Sequence, residues 1–220
     1  MPEDDRPWWE PYKVDLPVGQ RGRWAIERFT VASGDHLQPY FSVYGQDCPP
    51  GDYTRLVRYR DGPPEMDQTL GAAVGLGGVP VMTDTPGEIE DHLLAMEEIQ
   101  RRGGRVLIHG LGLGMILRFA LAQPNVSHVD VVELDQDVID LVAHHYQDER
   151  LTLHHGDALS YVWPVGSHWD VVWHDIWDSV LPSNLPQMTF LHRRFARRCG
   201  WQGSWSKDHA LAKRRLTRAR

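Results

Sequence analysis

The run Arg105-Val-Leu-Ile-His-Gly-Leu-Gly-Leu-Gly114 decides how the rest of the chain is read. Val106, Leu107 and Ile108 form a short apolar run of the kind a buried strand carries, and Gly110, Gly112 and Gly114 follow it as G-x-G-x-G. Met115 to Ala122 then continues without Gly or Pro and with good helix formers. Strand, glycine turn and helix make the first half of a nucleotide-binding βαβ unit. The glycines supply positive φ for a tight turn, and their lack of side chains lets a ligand approach the N–H groups at the helix start.

Downstream, His128-Val-Asp-Val-Val-Glu-Leu-Asp135 reads as a second strand ending in acids, with Glu133 lying 23 residues after Gly110. A nucleotide fold places the carboxylate for the ribose hydroxyls at an offset of roughly 20 residues. A helix is expected over Gln136 to Tyr146. A strand over Leu151 to His155 leads into Gly156-Asp157-Ala158, and a strand over Trp169 to Trp173 leads into His174-Asp175-Ile-Trp-Asp178. Strands and helices alternating through short loops specify a parallel sheet, whose ligands sit at the carboxyl ends of its strands. Gly110 to Gly114, Glu133, Asp157, and Asp175 with Asp178 all fall at such ends. One acid after a strand is commonly a helix cap. Several at one edge argue for a site in which Glu133 takes the ribose diol, Asp157 the adenine amino group and Asp175 the reacting end.

Upstream, a helix is expected over Glu88 to Arg102, capped by Thr85 or Asp84, with Pro86 in its first turn and Ile89, His92, Leu93, Met96 and Ile99 at helical spacing. Before it come β-like runs at Arg23 to Val31, Tyr40 to Tyr44, Tyr53 to Tyr59 and Val79 to Met82. They are separated by turn chemistry such as Ser33-Gly34-Asp35, Cys48-Pro-Pro-Gly51 and Asp61-Gly-Pro-Pro64, and by a glycine-rich loop from Gly71 to Pro80. After Asp178 a helix over Leu185 to Arg198, a strand over Trp201 to Trp205 and a final basic helix complete the chain. The expected fold is therefore α/β: a Rossmann-like parallel sheet with flanking helices, shortened after its fifth strand and preceded by a small antiparallel β lobe. The expected divisions are a proline-rich arm over 1–20, the lobe over 21–84, the Rossmann-like domain over 85–206 and a basic tail over 207–220.

No run approaches 18 apolar residues and the N-terminal Met-Pro-Glu-Asp-Asp is acidic, so the expectation is a soluble, cytoplasmic protein that makes no use of a membrane. Cys48 and Cys199 lack a C-x-x-C spacing, and histidine pairs such as His144-His145 and His154-His155 point their side chains apart, so no metal site is expected. The net charge of −7 conceals an asymmetry: residues 193–220 hold ten Lys/Arg against Asp208 alone, leaving −16 on the rest. Such a tail can dock on the acidic body or on nucleic acid. A homodimer is a further expectation.

These motifs, over about residues 79–180, resemble class I S-adenosylmethionine-dependent methyltransferases, and their spacing resembles the spermidine synthase-like branch of that superfamily. Val106 to Gly114 matches the first motif of the branch, Val132-Glu-Leu-Asp135 the second, Leu151 to Asp157 the third and Asp170-Val-Val-Trp-His-Asp175 with Asp178 the fourth. Val81 to His92 matches the segment ahead of the first strand. The resemblance implies a cofactor held by Gly110, Gly112, Gly114, Glu133, Leu134, Asp157, Ala158 and Asp175, with Asp175 and Asp178 facing the acceptor as the catalytic pair and Trp177 as an aromatic wall. The sequence also departs from the pattern. Ile108 stands where most such methyltransferases carry an acid, Leu113 where the spermidine synthases carry an aspartate for the amino group of the cofactor chain, and Asp91 where they carry a tyrosine. Leu113 and Asp91 weigh against a polyamine synthase and turn the expectation toward methyl transfer from intact S-adenosylmethionine to an unidentified acceptor, a small molecule or protein before nucleic acid. The alternatives are an aminopropyltransferase and a non-catalytic nucleotide-fold module.

Overall fold

The computed structural model describes residues 6–33, 48–60, 66–67, 72–73 and 78–218. The strand expected over Tyr40 to Tyr44, the turn at Asp61 to Pro64 and half of the loop from Gly71 to Pro80 lie outside these residues. The lobe is an antiparallel sheet of β1 (Gly19–Arg21), β2 (Trp24–Val31), β3 (Gly51–Tyr59) and, after a two-stranded ribbon of β4 (Met66–Asp67) and β5 (Ala72–Ala73), β6 (Gly78–Thr83). Its order is β1-β2-β3-β6, and a register shift between Leu56 and Val57 breaks the β3–β6 ladder.

Helix α1 (Pro86–Arg102) leads into the second sheet. The caps expected for it are not made: Thr85 stands at the N-cap position without a side-chain bond to the helix, its hydroxyl 2.8 Å from that of Thr83. Asp84, almost fully buried, instead accepts from the backbone N–H of Thr54 at 2.6 Å and of Val14 at 3.3 Å. Two lobe segments are thereby tied to the start of α1. Ile89, Met96 and Ile99 bury one stripe of the helix, each contributing on the order of 1.5–3 kcal/mol by leaving water.

Next come β7 (Gly104–His109), α2 (Met115–Ala122), β8 (Val126–Glu133), α3 (Gln136–Val142), β9 (Leu151–His155), β10 (Trp169–His174), α4 (Leu185–Phe195), β11 (Cys199–Ser204) and α5 (Lys207–Arg218). The five strands are parallel in the order β11-β10-β7-β8-β9, with β7 at the centre. Helix α3 stops at Val142 and a 3₁₀ turn carries the chain on to His145, three residues that the sequence pattern assigned to the helix. Helix α4 ends three residues before the expected Arg198, and β11 starts two residues before Trp201. α5 is packed through the fully buried Ala210, and Lys213 donates to the carbonyl of Val180 at 3.0 Å. Among the described residues no helix is long and apolar enough to cross a membrane.

Between the glycine turn and the lobe, the switch in strand order from β7 to β10 on one side and β8 on the other opens a crevice at the carboxyl edge. A doubly wound sheet binds ligands at that place.

Candidate active site

A cavity of about 480 Å³ lies at this edge, within the range of a nucleotide-sized ligand. Its lining includes Gly110, Gly112, Glu133, Leu134, Asp157, Ala158, Asp175 and Asp178, which the sequence singled out. Of the expected site residues only Gly114 is not among its lining. A Cβ there would fall 2.3 Å from the ring of Tyr146, so this glycine serves close packing under the turn.

Gly110 is fixed by what crosses it. Its φ is +92°, and a Cβ would lie 1.9 Å from the carbonyl oxygen of Asp175, whose own N–H donates to the carbonyl of His109 at 2.8 Å. The ends of β7 and β10 thus touch through backbone, which delivers the Asp175 side chain to the cavity. Behind them His109 and His174 are fully buried with Nδ1 atoms 2.8 Å apart, so one imidazole donates and the other accepts. Burial holds both neutral, lowering His174 to about 3 and His109 well below its ordinary range. Reading these two residues only as flanks of the motifs missed this pair, because the contact spans 65 residues.

Glu133, at the end of β8, accepts from Leu111 N–H at 2.8 Å and Asp135 N–H at 2.9 Å. Burial raises its carboxyl, and the backbone donors hold that rise back. One N–H bond per oxygen leaves lone pairs for a diol. If Glu133 holds the ribose, Glu133→Ala weakens binding of an adenosyl ligand by about tenfold to a hundredfold, from the loss of charged hydrogen bonds worth roughly 1.5–3 kcal/mol each. Calorimetry on a variant of unchanged circular dichroism measures this, and unchanged affinity rejects the role.

Asp157 does part of the capping work that a lone acid after a strand usually does: its Oδ1 accepts from Leu159 N–H at 2.8 Å, and it still lines the cavity beside the buried Ala158. Asp178 is half-exposed at the mouth, where Arg58 of β3 binds it at 2.6 Å. Arg58 in turn lies 5.6 Å from the ring centre of Trp24, whose Nε1 donates to Asp135 at 2.7 Å. The lobe therefore closes the cavity with Trp24, Leu56 and Arg58, none of which the sequence singled out. Their partners lie 111 and 120 residues away, so nothing local could mark them. Trp177 lines the cavity, with Nε1 donating to Gln187 at 2.7 Å, whereas Trp173 is core, stacked on Trp201.

Asp175 faces α1, where His92 Nε2 stands 3.5 Å from its Oδ2 and 4.0 Å from Oε1 of Glu88. Burial, with the charges of Asp91 and Glu133 adding to it, raises Asp175 to about 8, while burial alone lowers His92 to about 4. The geometry is that of an ion pair, but near neutrality burial leaves both groups uncharged. A carboxyl of this kind can take up a proton in the pH range in which amines lose theirs.

Several N–H groups of the turn are engaged within the fold. Leu113 N–H is directed at Met82 Sδ at 3.2 Å, Gly114 N–H at the carbonyl of Leu111, and Leu111 N–H at Glu133. The acids Glu88 and Asp175 line the same cavity. The cavity thus combines a glycine turn, strand-end carboxyl groups and a buried acidic end.

The spermine/spermidine synthase domain model matches residues 88–199, and the chain belongs to that family. It is 29% identical over 165 residues to the polyamine aminopropyltransferase of Synechococcus sp. (strain JA-2-3B'a(2-13)), covering 66% of this chain and 52% of that protein. It is likewise 29% identical over 118 residues to the polyamine aminopropyltransferase of Agathobacter rectalis, covering 50% of this chain and 41% of that one. The chain spans about half the length of these curated relatives. Among solved structures, a putative caffeoyl-CoA O-methyltransferase from Staphylococcus aureus is 14% identical with a TM-score of 0.40, over 50% of this chain and 52% of that one.

These relatives overturn the expectation of methyl transfer and of S-adenosylmethionine as its cofactor, and favour the aminopropyl alternative. The error has a physical origin. Leu113 counts as a lost ligand in that expectation, yet its side chain is completely buried in the apolar core, beside which Ile108 is buried as well. Hydrophobic residues there report on packing and carry no preference for a methyl donor.

Proposed function

We propose that this chain is a transferase that moves an aminopropyl group from decarboxylated S-adenosylmethionine to a primary amine of a polyamine. The observation that carries the reading is Asp175: a buried carboxyl of raised affinity for protons, in the same cavity as Glu133 and Asp157, in a chain of the spermine/spermidine synthase domain family.

In this reading Glu133 takes the ribose hydroxyls, and Asp157 with the backbone of Ala158 takes the adenine. The acceptor nitrogen forms its new bond to the propyl carbon next to sulfur as the carbon–sulfur bond breaks. The electron pair of that bond stays on sulfur, which leaves as the neutral thioether of methylthioadenosine. The sulfonium brings its own leaving group, so the protein has to align the reactants, exclude water and accept one proton. Asp175 accepts the proton from the acceptor ammonium, and uncharged His92 at 3.5 Å supports the carboxylate that results. Asp178 holds the distal ammonium of the acceptor at the mouth, where it exchanges Arg58 for the substrate cation.

Because Asp175 must be ionised to act, and burial raises it to about 8, turnover increases with pH and levels off only above that value. Release of methylthioadenosine from decarboxylated S-adenosylmethionine and putrescine, followed from pH 6 to 10, is the test. A rate that falls over the alkaline limb to pH 8 contradicts the role of Asp175, and no release at any pH with any primary amine contradicts the function.

A further inference from the structure

The reaction as derived uses Asp175 but leaves unexplained the groups packed around it on α1. Glu88, one turn before His92, lines the cavity with its carboxyl largely withdrawn from water. Asp91 is buried on the same helix, its carboxylate accepting from Ser206 Oγ at 3.4 Å. His92 is completely buried, and neither of its ring nitrogens makes a hydrogen bond within the described residues. Its Nε2 is aimed between Glu88 and Asp175, at 4.0 and 3.5 Å. Asp91 and Asp175, the charged neighbours that act on Glu88, are both acids, and with burial they raise its carboxyl well above the ordinary range. The cations nearest the mouth, Arg58 and Arg23, are directed at Asp178 and Asp135.

Glu88 and Asp175 both line the cavity and converge on the His92 imidazole behind them, and among the described residues no cation is directed into the recess they form. A ligand carboxylate entering there gains no cationic partner, whereas a primary ammonium stabilises the ionised form of Glu88 and donates to it.

We propose that Glu88 is the residue that selects the decarboxylated donor, by binding the terminal ammonium of its aminopropyl arm and repelling the α-carboxylate of intact S-adenosylmethionine. The assignment rests on the aminopropyl reading above and adds to it a position that the glycine turn does not supply, since Leu113 is buried in the core. His92 is a positioning residue: its Nε2 spaces Glu88 from Asp175, so that the ammonium and the proton acceptor do not collapse onto each other.

The experiment compares three ligands by calorimetry: decarboxylated S-adenosylmethionine, intact S-adenosylmethionine and methylthioadenosine, which has the nucleoside but no ammonium. The wild type binds the decarboxylated form tighter than the other two. Glu88→Gln lowers that affinity by about 10- to 100-fold, the range of one charged hydrogen bond, while methylthioadenosine binding stays within about twofold, and the preference over the intact form shrinks to the same extent. Glu88→Asp retains part of the preference. If the wild type prefers the decarboxylated ligand and Glu88→Gln prefers it equally, the proposal is overturned and the aminopropyl reading stands. If Glu88→Gln weakens all three ligands equally, Glu88 is structural and the proposal is likewise overturned. A wild type without preference for the decarboxylated ligand overturns both.

Discussion

Asp175→Asn lowers kcat for aminopropyl transfer by about 10²- to 10⁴-fold, the range expected when a positioned general base is removed. The side chain is nearly isosteric, so the cavity is kept, and donor affinity changes by no more than a few fold. The residual rate no longer rises through pH 8, because the group whose burial raises it to about 8 is gone. Rates of methylthioadenosine release at saturating donor, with wild type and variant compared at pH 7 and pH 9, check all three statements. A variant with full activity places the proton elsewhere, and Asp175 then remains only the end of β10.

Gly110→Ala is the second large effect, and it acts through backbone. The new Cβ would sit 1.9 Å from the Asp175 carbonyl, on a residue whose φ of +92° already disfavours a side chain. No rotamer relieves this, because the obstacle is main chain. The β7 and β10 ends must separate, which disturbs the His109–His174 bond at 2.8 Å behind them. The expected cost is about 2–4 kcal/mol of stability, or a fall in Tm of roughly 5–15 °C for a domain of this size. Misplacing Asp175 by an ångström lowers kcat/KM by about 10² or more as well. Differential scanning fluorimetry with the turnover assay measures both, and a variant as stable and active as wild type refutes the packing described.

The reason these effects were partly foreseeable lies in the locality of the signals. Val106 to Gly114 carries strand and turn, and His128 to Asp135 strand and acids, within ten residues each, so the parallel sheet and the carboxyl-edge position of the site could be read from them. Glu133, Asp157 and Asp175 reached the cavity because strand ends in such a sheet converge whatever the rest of the chain does. What could not be read was the direction of a side chain. Leu113 and Ile108 look the same in sequence whether they face a ligand or the core, and both face the core. In sequence Glu88 only opens the expected helix and Asp84 is one of its two candidate caps. Their actual partners, His92 on the helix interior and Thr54 in β3, depend on how the lobe seats on α1. The roof of Trp24, Leu56 and Arg58 is tertiary throughout, and no period or motif marks it.

Which carbon leaves the sulfonium is the central claim. The protein is incubated with putrescine and an equimolar mixture of S-adenosylmethionine labelled in its methyl group and decarboxylated S-adenosylmethionine labelled in its aminopropyl arm, and the products are resolved by mass. The account predicts an amine lengthened by an aminopropyl unit, an equal amount of methylthioadenosine, and no methyl label on the amine. Methyl-labelled amine with release of S-adenosylhomocysteine would contradict it.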